Sequence, residues 1–139
     1  MNNAVTIVMI EDDEGHARLI EKNIARAGVK NAIVHFVSGA DALAYFQHAD
    51  RPKSLLILLD LNLPDMTGID ILQYLKDREP LKRTPVIVLT TTDDRREVER
   101  CYELGCSVYI TKPVEYEHFA NAIRQLGLFF SVIEVPETT

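Results

Sequence analysis

Five short apolar runs, rich in β-branched residues, recur along the chain: "AVTIVMI", "AIVHFV", "LLILLD", "TPVIVLT" and "SVYIT". Each precedes a segment whose apolar residues repeat with helical period. Ala17, Ile20, Ile24 and Ala27 share a face after the first run, and Ala42, Leu43, Tyr45 and Phe46 after the second. Ile71, Leu72 and Leu75 follow the third, Val98, Cys101 and Tyr102 the fourth, and Phe119, Ala120, Ile123 and Leu126 the fifth. Strict alternation of strand and helix implies a parallel sheet with helices on both faces. Runs this uniformly apolar suit strands buried on both sides. The expected fold is α/β, a doubly wound five-stranded parallel sheet.

The punctuation agrees. Gly28 ends the first helix, Ser38-Gly39 opens the second and Asp50-Arg51-Pro52 breaks it. Pro64 and Gly68 frame the turn before the third helix, Pro80 ends that helix and Pro85 opens the fourth strand. Gly105 closes the fourth helix, Pro113 follows the fifth strand, and the fifth helix is expected to finish near Leu126-Gly127. The chain divides into one domain over residues 1–128 and an apolar tail over 129–139. Phe129, Phe130, Val132, Ile133 and Val135 in that tail have two readings: a segment packed on its own chain, or an arm that joins two copies into a homodimer.

A length of 139 residues is that of one domain. The net charge of -6 argues against a general nucleic-acid binder, because phosphate backbones need Lys and Arg. No apolar run has the length of a membrane span, and "MNNAVTIVMIEDD" lacks a basic region followed by a long apolar stretch, so a cytoplasmic location is expected. Cys101 and Cys106 have no neighbouring Cys or His at zinc spacing and read as reduced, packed thiols.

Ligands of open α/β sheets bind outside the carboxyl ends of the strands. Glu11, Asp12 and Asp13 stand there after the first strand, and Asp60 and then Asn62 after the third. Thr90, Thr91 and Thr92 follow the fourth, and Lys112 and Pro113 the fifth. Taken singly, an Asp after a strand is a helix cap, a Thr is a β-former and a Lys is a solvated charge. Together they put several acids on one sheet edge. Carboxylates about 5 Å apart repel by roughly 3 kcal/mol per pair at an effective dielectric near 20, so the cluster needs cations. Lys112 supplies one. The candidate ligands are oxygen donors, which favours Mg²⁺, with Mn²⁺ able to substitute, and Mg²⁺ sites of this kind complete their shell with water and a phosphoryl group. Asp13 reads better as the cap of the first helix.

The motifs "MIEDDE", "LLDLNLPDMTG", "PVIVLTT" and "GCSVYITKP", in that order and spacing, resemble the receiver domain of two-component response regulators over almost the whole chain. The resemblance implies a (βα)5 flavodoxin-like fold with strand order 2-1-3-4-5. It implies that Asp60 is the phosphoacceptor, served by a sensor histidine kinase, and that the output is contact with a downstream protein or a phosphotransfer protein. It further implies that Asp12 binds Mg²⁺ directly, Glu11 mainly through water, and Asn62 through its backbone carbonyl. Thr90 and Lys112 would hold phosphoryl oxygens, Thr90 and Tyr109 would form the switch, and Pro113 would follow a cis peptide bond. Asn62 and Thr92 would tune the lifetime of the acyl phosphate. "LLDLNLPDMTG", "LKRTPVIVLTTTDD", "CSVYITKP" and the apolar tail are in addition similar to the small regulators paired with phytochrome-type kinases.

Three other readings fit the residues less well. A haloacid-dehalogenase-type phosphatase needs a second Asp two residues after the nucleophile, where this chain has Asn62, which cannot act as a carboxylic acid. A docking-only pseudo-receiver would not need a complete site. A flavodoxin-like cofactor binder would need a phosphate-cradling loop after the first strand, and the loop here is acidic. His16, His118 and the charges of "DDRREVER" read as solvated surface.

Overall fold

The computed structural model describes residues 5–130, with side chains described as far as Leu126. Its strands are β1 (Thr6–Ile10), β2 (Ile33–Phe36), β3 (Leu55–Leu59), β4 (Val86–Thr90) and β5 (Val108–Thr111), all parallel in the order β2-β1-β3-β4-β5. Between and after them run α1 (Glu14–Arg26), α2 (Gly39–Gln47), α3 (Gly68–Lys76), α4 (Arg95–Leu104) and α5 (Tyr116–Phe130).

Alternation along each strand splits the core in two. Ile7, Met9, Leu56, Leu58, Ile87 and Leu89 face one way and pack with Ala17, Ile20 and Ile24 of α1 and Phe119 and Ile123 of α5. Val8, Ile10, Ile57, Leu59, Val86 and Val88 face the other way and pack with α2, α3 and α4 through Ala42, Phe46, Ile71, Leu72, Leu75 and Cys101. Full burial of one such Leu or Ile contributes about 1.5–3 kcal/mol. β1, β3 and β4 are sheathed on both sides, which is why, after Thr6 at the start of β1, they carry no polar residue inside the sheet until Thr90. β2 lies at an edge, and each of its residues is partly exposed.

The chain leaves β1 for β2 on one side and returns to β3 on the other. This reversal opens a crevice at the carboxyl ends of β1 and β3. Helix starts are fixed by side-chain caps: Asp13 accepts from the His16 N–H, Ser38 from Asp41, Thr67 from Asp70 and Asp94 from Arg96. Gly105 ends α4 with φ at 104°, a left-handed conformation that glycine adopts without strain.

Several boundaries differ from the sequence expectation. α3 stops at Lys76, capped by Asp77, before Pro80, and a 3₁₀ turn over Leu81–Arg83 intervenes before β4. α5 continues through Gly127 to Phe130, because an interior glycine weakens a helix by only about 1 kcal/mol and need not end it. Tyr102 is not on the buried face of α4. It is 49% exposed, and its hydroxyl accepts from the Tyr109 N–H. The proposed arm lies outside the described residues at Val132, Ile133 and Val135, as do the side chains of Phe129 and Phe130.

Candidate functional site

Asp60 is the residue at which β3 leaves the sheet. Its N–H donates to the Ile10 carbonyl (3.0 Å), so the ladder to β1 holds its peptide. Its carboxylate is 6% exposed, accepts from the Asn62 N–H at 3.2 Å and lies 3.6 Å from Lys112 Nζ. Gly68 N–H donates to the Leu61 carbonyl at 2.8 Å, drawing the start of α3 onto this strand end. A Cβ at Gly68 would collide with the Asp60 carbonyl and the Leu61 backbone, so glycine here lets α3 close over the peptide that carries Asp60.

Glu11 occupies the equivalent place after β1 and is nearly fully buried. Its N–H donates to the Phe36 carbonyl at 3.0 Å, and its carboxylate accepts from the Asp13 N–H at 3.2 Å. Asp12 is exposed at the mouth. One carboxylate oxygen from each of Glu11, Asp12 and Asp60 lies within 4.8 Å of the other two.

Lys112 reaches this cluster from β5. Its N–H donates to the Thr90 carbonyl at 2.7 Å, and the bond to Pro113 is cis. Its ammonium is only 6% exposed and donates to Glu11 Oε1 while facing Asp60. Burial, the first cause, and then the Glu11 charge raise the Asp60 carboxyl to about 6, against the lowering effects of the Asn62 N–H and Lys112. Three carboxylates and one ammonium leave a formal charge of -2, which one divalent cation would neutralise. The donors are hard oxygens, and no His or Cys belongs to the cluster. The residues therefore fit a divalent ion.

The hydroxyl side of the site is looser. Thr90 is fully buried, and its hydroxyl receives long hydrogen bonds from the Asn62 side-chain amide (3.5 Å) and the Thr92 N–H (3.4 Å). Tyr109 donates its hydroxyl to the Thr92 carbonyl at 2.8 Å, on the loop leading from β4 to α4. Burial, mainly, raises the Tyr109 phenol well above its usual value and keeps it a donor.

The geometry thus brings Glu11, Asp12, Asp60 and Lys112 together at the strand ends, with Thr90 joined to them through the Asn62 amide and the Lys112 N–H, and Tyr109 on the loop beyond Thr90. A model of the response regulator receiver domain matches residues 7–124. The chain belongs to that family. A receiver domain from Rhodospirillum rubrum of known structure is 65% identical, with a TM-score of 0.78 over 96% of this chain and 99% of that one. The response regulator Rcp1 of a Synechocystis strain is 34% identical over 93% of this chain and 90% of its own length. An Mn²⁺-bound structure of Rcp1 aligns at a TM-score of 0.76, with 29% identity, over 96% of this chain and 99% of that one. The phosphorylated cyanobacterial phytochrome response regulator RcpA aligns at 0.75, with 32% identity, over 96% of this chain and 99% of that one. The receiver is thus similar to phytochrome-associated regulators. No helix among its described residues is long and apolar enough to cross a membrane.

Sequence reasoning missed several contacts. His16, expected to be solvated, places Nδ1 3.1 Å from Lys112 Nζ and 4.0 Å from a Glu11 oxygen. Its position in the first turn of α1, three residues after the cap, brings it over the acidic loop. Asp65 accepts from the N–H groups of Gly39 and Ala40 at 2.9 and 2.8 Å, which lowers its carboxyl and ties the loop after β3 to the start of α2. His35 donates across the sheet edge to the Glu11 carbonyl. Each of these depends on which strands are neighbours, and no local motif announces them. His118 is exposed, as read.

Proposed function

We propose that this receiver takes a phosphoryl group onto Asp60 from a phosphohistidine of a sensor histidine kinase, of the phytochrome type, and signals by protein contact. The observation that supports it most is the burial of Asp60 beside one ammonium, two further carboxylates and a buried hydroxyl. An Asp60 oxygen attacks phosphorus in line, the P–N bond breaks and the imidazole leaves with a proton. Little covalent work falls to other side chains, so positioning and charge stabilisation dominate. Lys112 neutralises one equatorial oxygen, and the Thr90 hydroxyl donates to another. Asp12 and Asp60, with Glu11 through water and the Asn62 carbonyl, would hold Mg²⁺, or Mn²⁺ in its place. When bound, the ion offsets the negative charge that gathers on the transferring group. Water attack on the acyl phosphate, with Asn62 and Thr92 at the entrance, returns Asp60 to its starting state.

The new group adds nearly two negative charges and three acceptors. Thr90 is drawn toward it, which disturbs the Thr90–Thr92 contact and hence the carbonyl on which Tyr109 rests. The α4–β5 surface is thereby coupled to the phosphoryl group, a two-state bias of the usual kind. Output is contact with a downstream or phosphotransfer protein. On the sequence pattern, we assign residues 1–128 to the receiver and 129–139 to a homodimer arm, which sedimentation of a chain truncated before Phe129 tests.

Acetyl phosphate with Mg²⁺ tests the core of this reading: intact-mass analysis should show one added phosphoryl group, lost with chelator and with Asp60→Asn. Labelling of Asp60→Asn to the native level would refute it. For the kinase class, transfer from an autophosphorylated phytochrome-type kinase should outpace transfer from a kinase of another sensor type by at least about tenfold, and equal rates would remove the pairing.

A further inference from the structure

We propose that His35, on the edge strand β2, is a positioning residue for the cation site. It acts through the backbone of Glu11, and the proposal rests on the reading that Glu11 and Asp12 serve a divalent ion. His35 Nε2 lies 2.7 Å from the Glu11 carbonyl oxygen. The acceptor is a carbonyl, so Nε2 carries the proton and the ring is held in one tautomer.

The contact matters because of where it falls. Glu11 N–H is already bonded to the Phe36 carbonyl of β2 at 3.0 Å. His35 holds the carbonyl of the same residue, so both polar groups of the Glu11 backbone are anchored on β2. On the far side, Asp13 is fixed as the cap of α1. Asp12 stands between, and among the described residues no hydrogen bond or ion pair fixes its carboxylate. Its aim is therefore set by the two peptides that flank it, and His35 locks the first of these, the Glu11–Asp12 bond.

Among the described residues that line the surroundings, the other side-chain donor is Arg18. The His35 ring sits in a groove lined by Glu14, Ala17, Arg18, Glu21 and Val37. Arg18 is turned to Glu14, at 3.4 Å. With His35 lost, the Glu11 carbonyl would turn to water and the acidic loop would gain freedom. Partners that orient ligands in this way change metal affinity by about tenfold or more when removed.

The test uses the full chain with Mn²⁺ alone, read by the electron paramagnetic resonance of the free ion. His35→Phe keeps a flat ring and removes the donor, and its Mn²⁺ affinity should fall about tenfold. His35→Gln keeps an N–H donor and should stay within about threefold of native. With acetyl phosphate, half-saturating Mg²⁺ should rise about tenfold for His35→Phe while the maximal labelling rate is kept. Phe binding Mn²⁺ as the native chain does, or Gln failing as badly as Phe, overturns the inference and leaves the phosphoacceptor reading standing. A native chain that binds no Mn²⁺ overturns both. Should His35→Phe not fold, a long-range ¹H–¹⁵N spectrum of the native chain still decides: the Nε2–H tautomer is required, and an Nδ1–H tautomer refutes the contact.

Discussion

The carboxyl ends of β1 and β3 and those of β4 and β5 do opposite work. The first pair delivers Glu11, Asp12 and Asp60, three acids with one oxygen each within 4.8 Å of the other two. The second delivers Thr90 and Lys112, a hydroxyl and a compensating charge. Glu11 and Asp60 in the acid half are held stiffly, by the sheet ladder, the Gly68 approach and the Lys112 ammonium. The Thr90 backbone is in the ladder too, its carbonyl accepting from the Lys112 N–H at 2.7 Å, but its hydroxyl is held by bonds of 3.4 and 3.5 Å and the loop beyond it by one phenol on a carbonyl. The site keeps its buried charge on short, ladder-anchored contacts and its adjustable contacts at the Thr90 hydroxyl and the loop after β4.

The largest test of this division removes the charge that joins the halves. Lys112→Met leaves Glu11 and Asp60 buried without their cation and should cost about 3–5 kcal/mol of metal-free stability at pH 7, measured by urea unfolding. A loss under about 1 kcal/mol would mean that the acids do not depend on Lys112. Gly68→Ala should cost about 2 kcal/mol, since the new Cβ meets backbone that cannot rotate away. It should also slow Asp60 labelling. At Gly39 the obstacle is the Met66 side chain, so Gly39→Ala should cost less. Equal losses at the two glycines would contradict the stiffness assigned to the acid half.

Asp60→Asn should act in the opposite direction and stabilise the metal-free chain at pH 7 by roughly 1–3 kcal/mol, because the folded state raises the Asp60 carboxyl from 3.8 to about 6. The sign follows from proton uptake: between those values the folded chain holds the proton more tightly than the unfolded one. The contribution of Asp60 to stability therefore falls as pH rises from about 4 to 6 and then levels, and Asn should flatten that slope. The smallest effect belongs to the yielding half. Tyr109→Phe loses one hydrogen bond and should cost about 1 kcal/mol or less, with Mn²⁺ affinity unchanged. A shift in Mn²⁺ affinity would show that the halves are more tightly linked than the geometry indicates.

Much of this was legible in the residue order. Period and punctuation marked every strand and α-helix, because each buried face writes its own spacing into the chain. The acids, Thr90 and Lys112 could be placed on one edge, because parallel strands all end on the same side. The contacts of His16, His35 and Asp65 could not be read, since they join segments adjacent only after the sheet has formed. The end of α3 and the reach of α5 were misplaced for a related reason: proline and glycine bias a helix end, and hydrogen bonding in the folded chain sets it. Tyr102 looked like a core residue by spacing, but lies at the margin of α4, where its hydroxyl meets β5.

The most direct measurement is to load the receiver with phosphodonor and Mg²⁺, reduce the acyl phosphate with borohydride and map the product by peptide mass. The account predicts homoserine at position 60 and nowhere else, with Lys112→Met giving little or none. Label on another side chain, or an unmodified Asp60 after exposure to every donor with Mg²⁺ present, would contradict it.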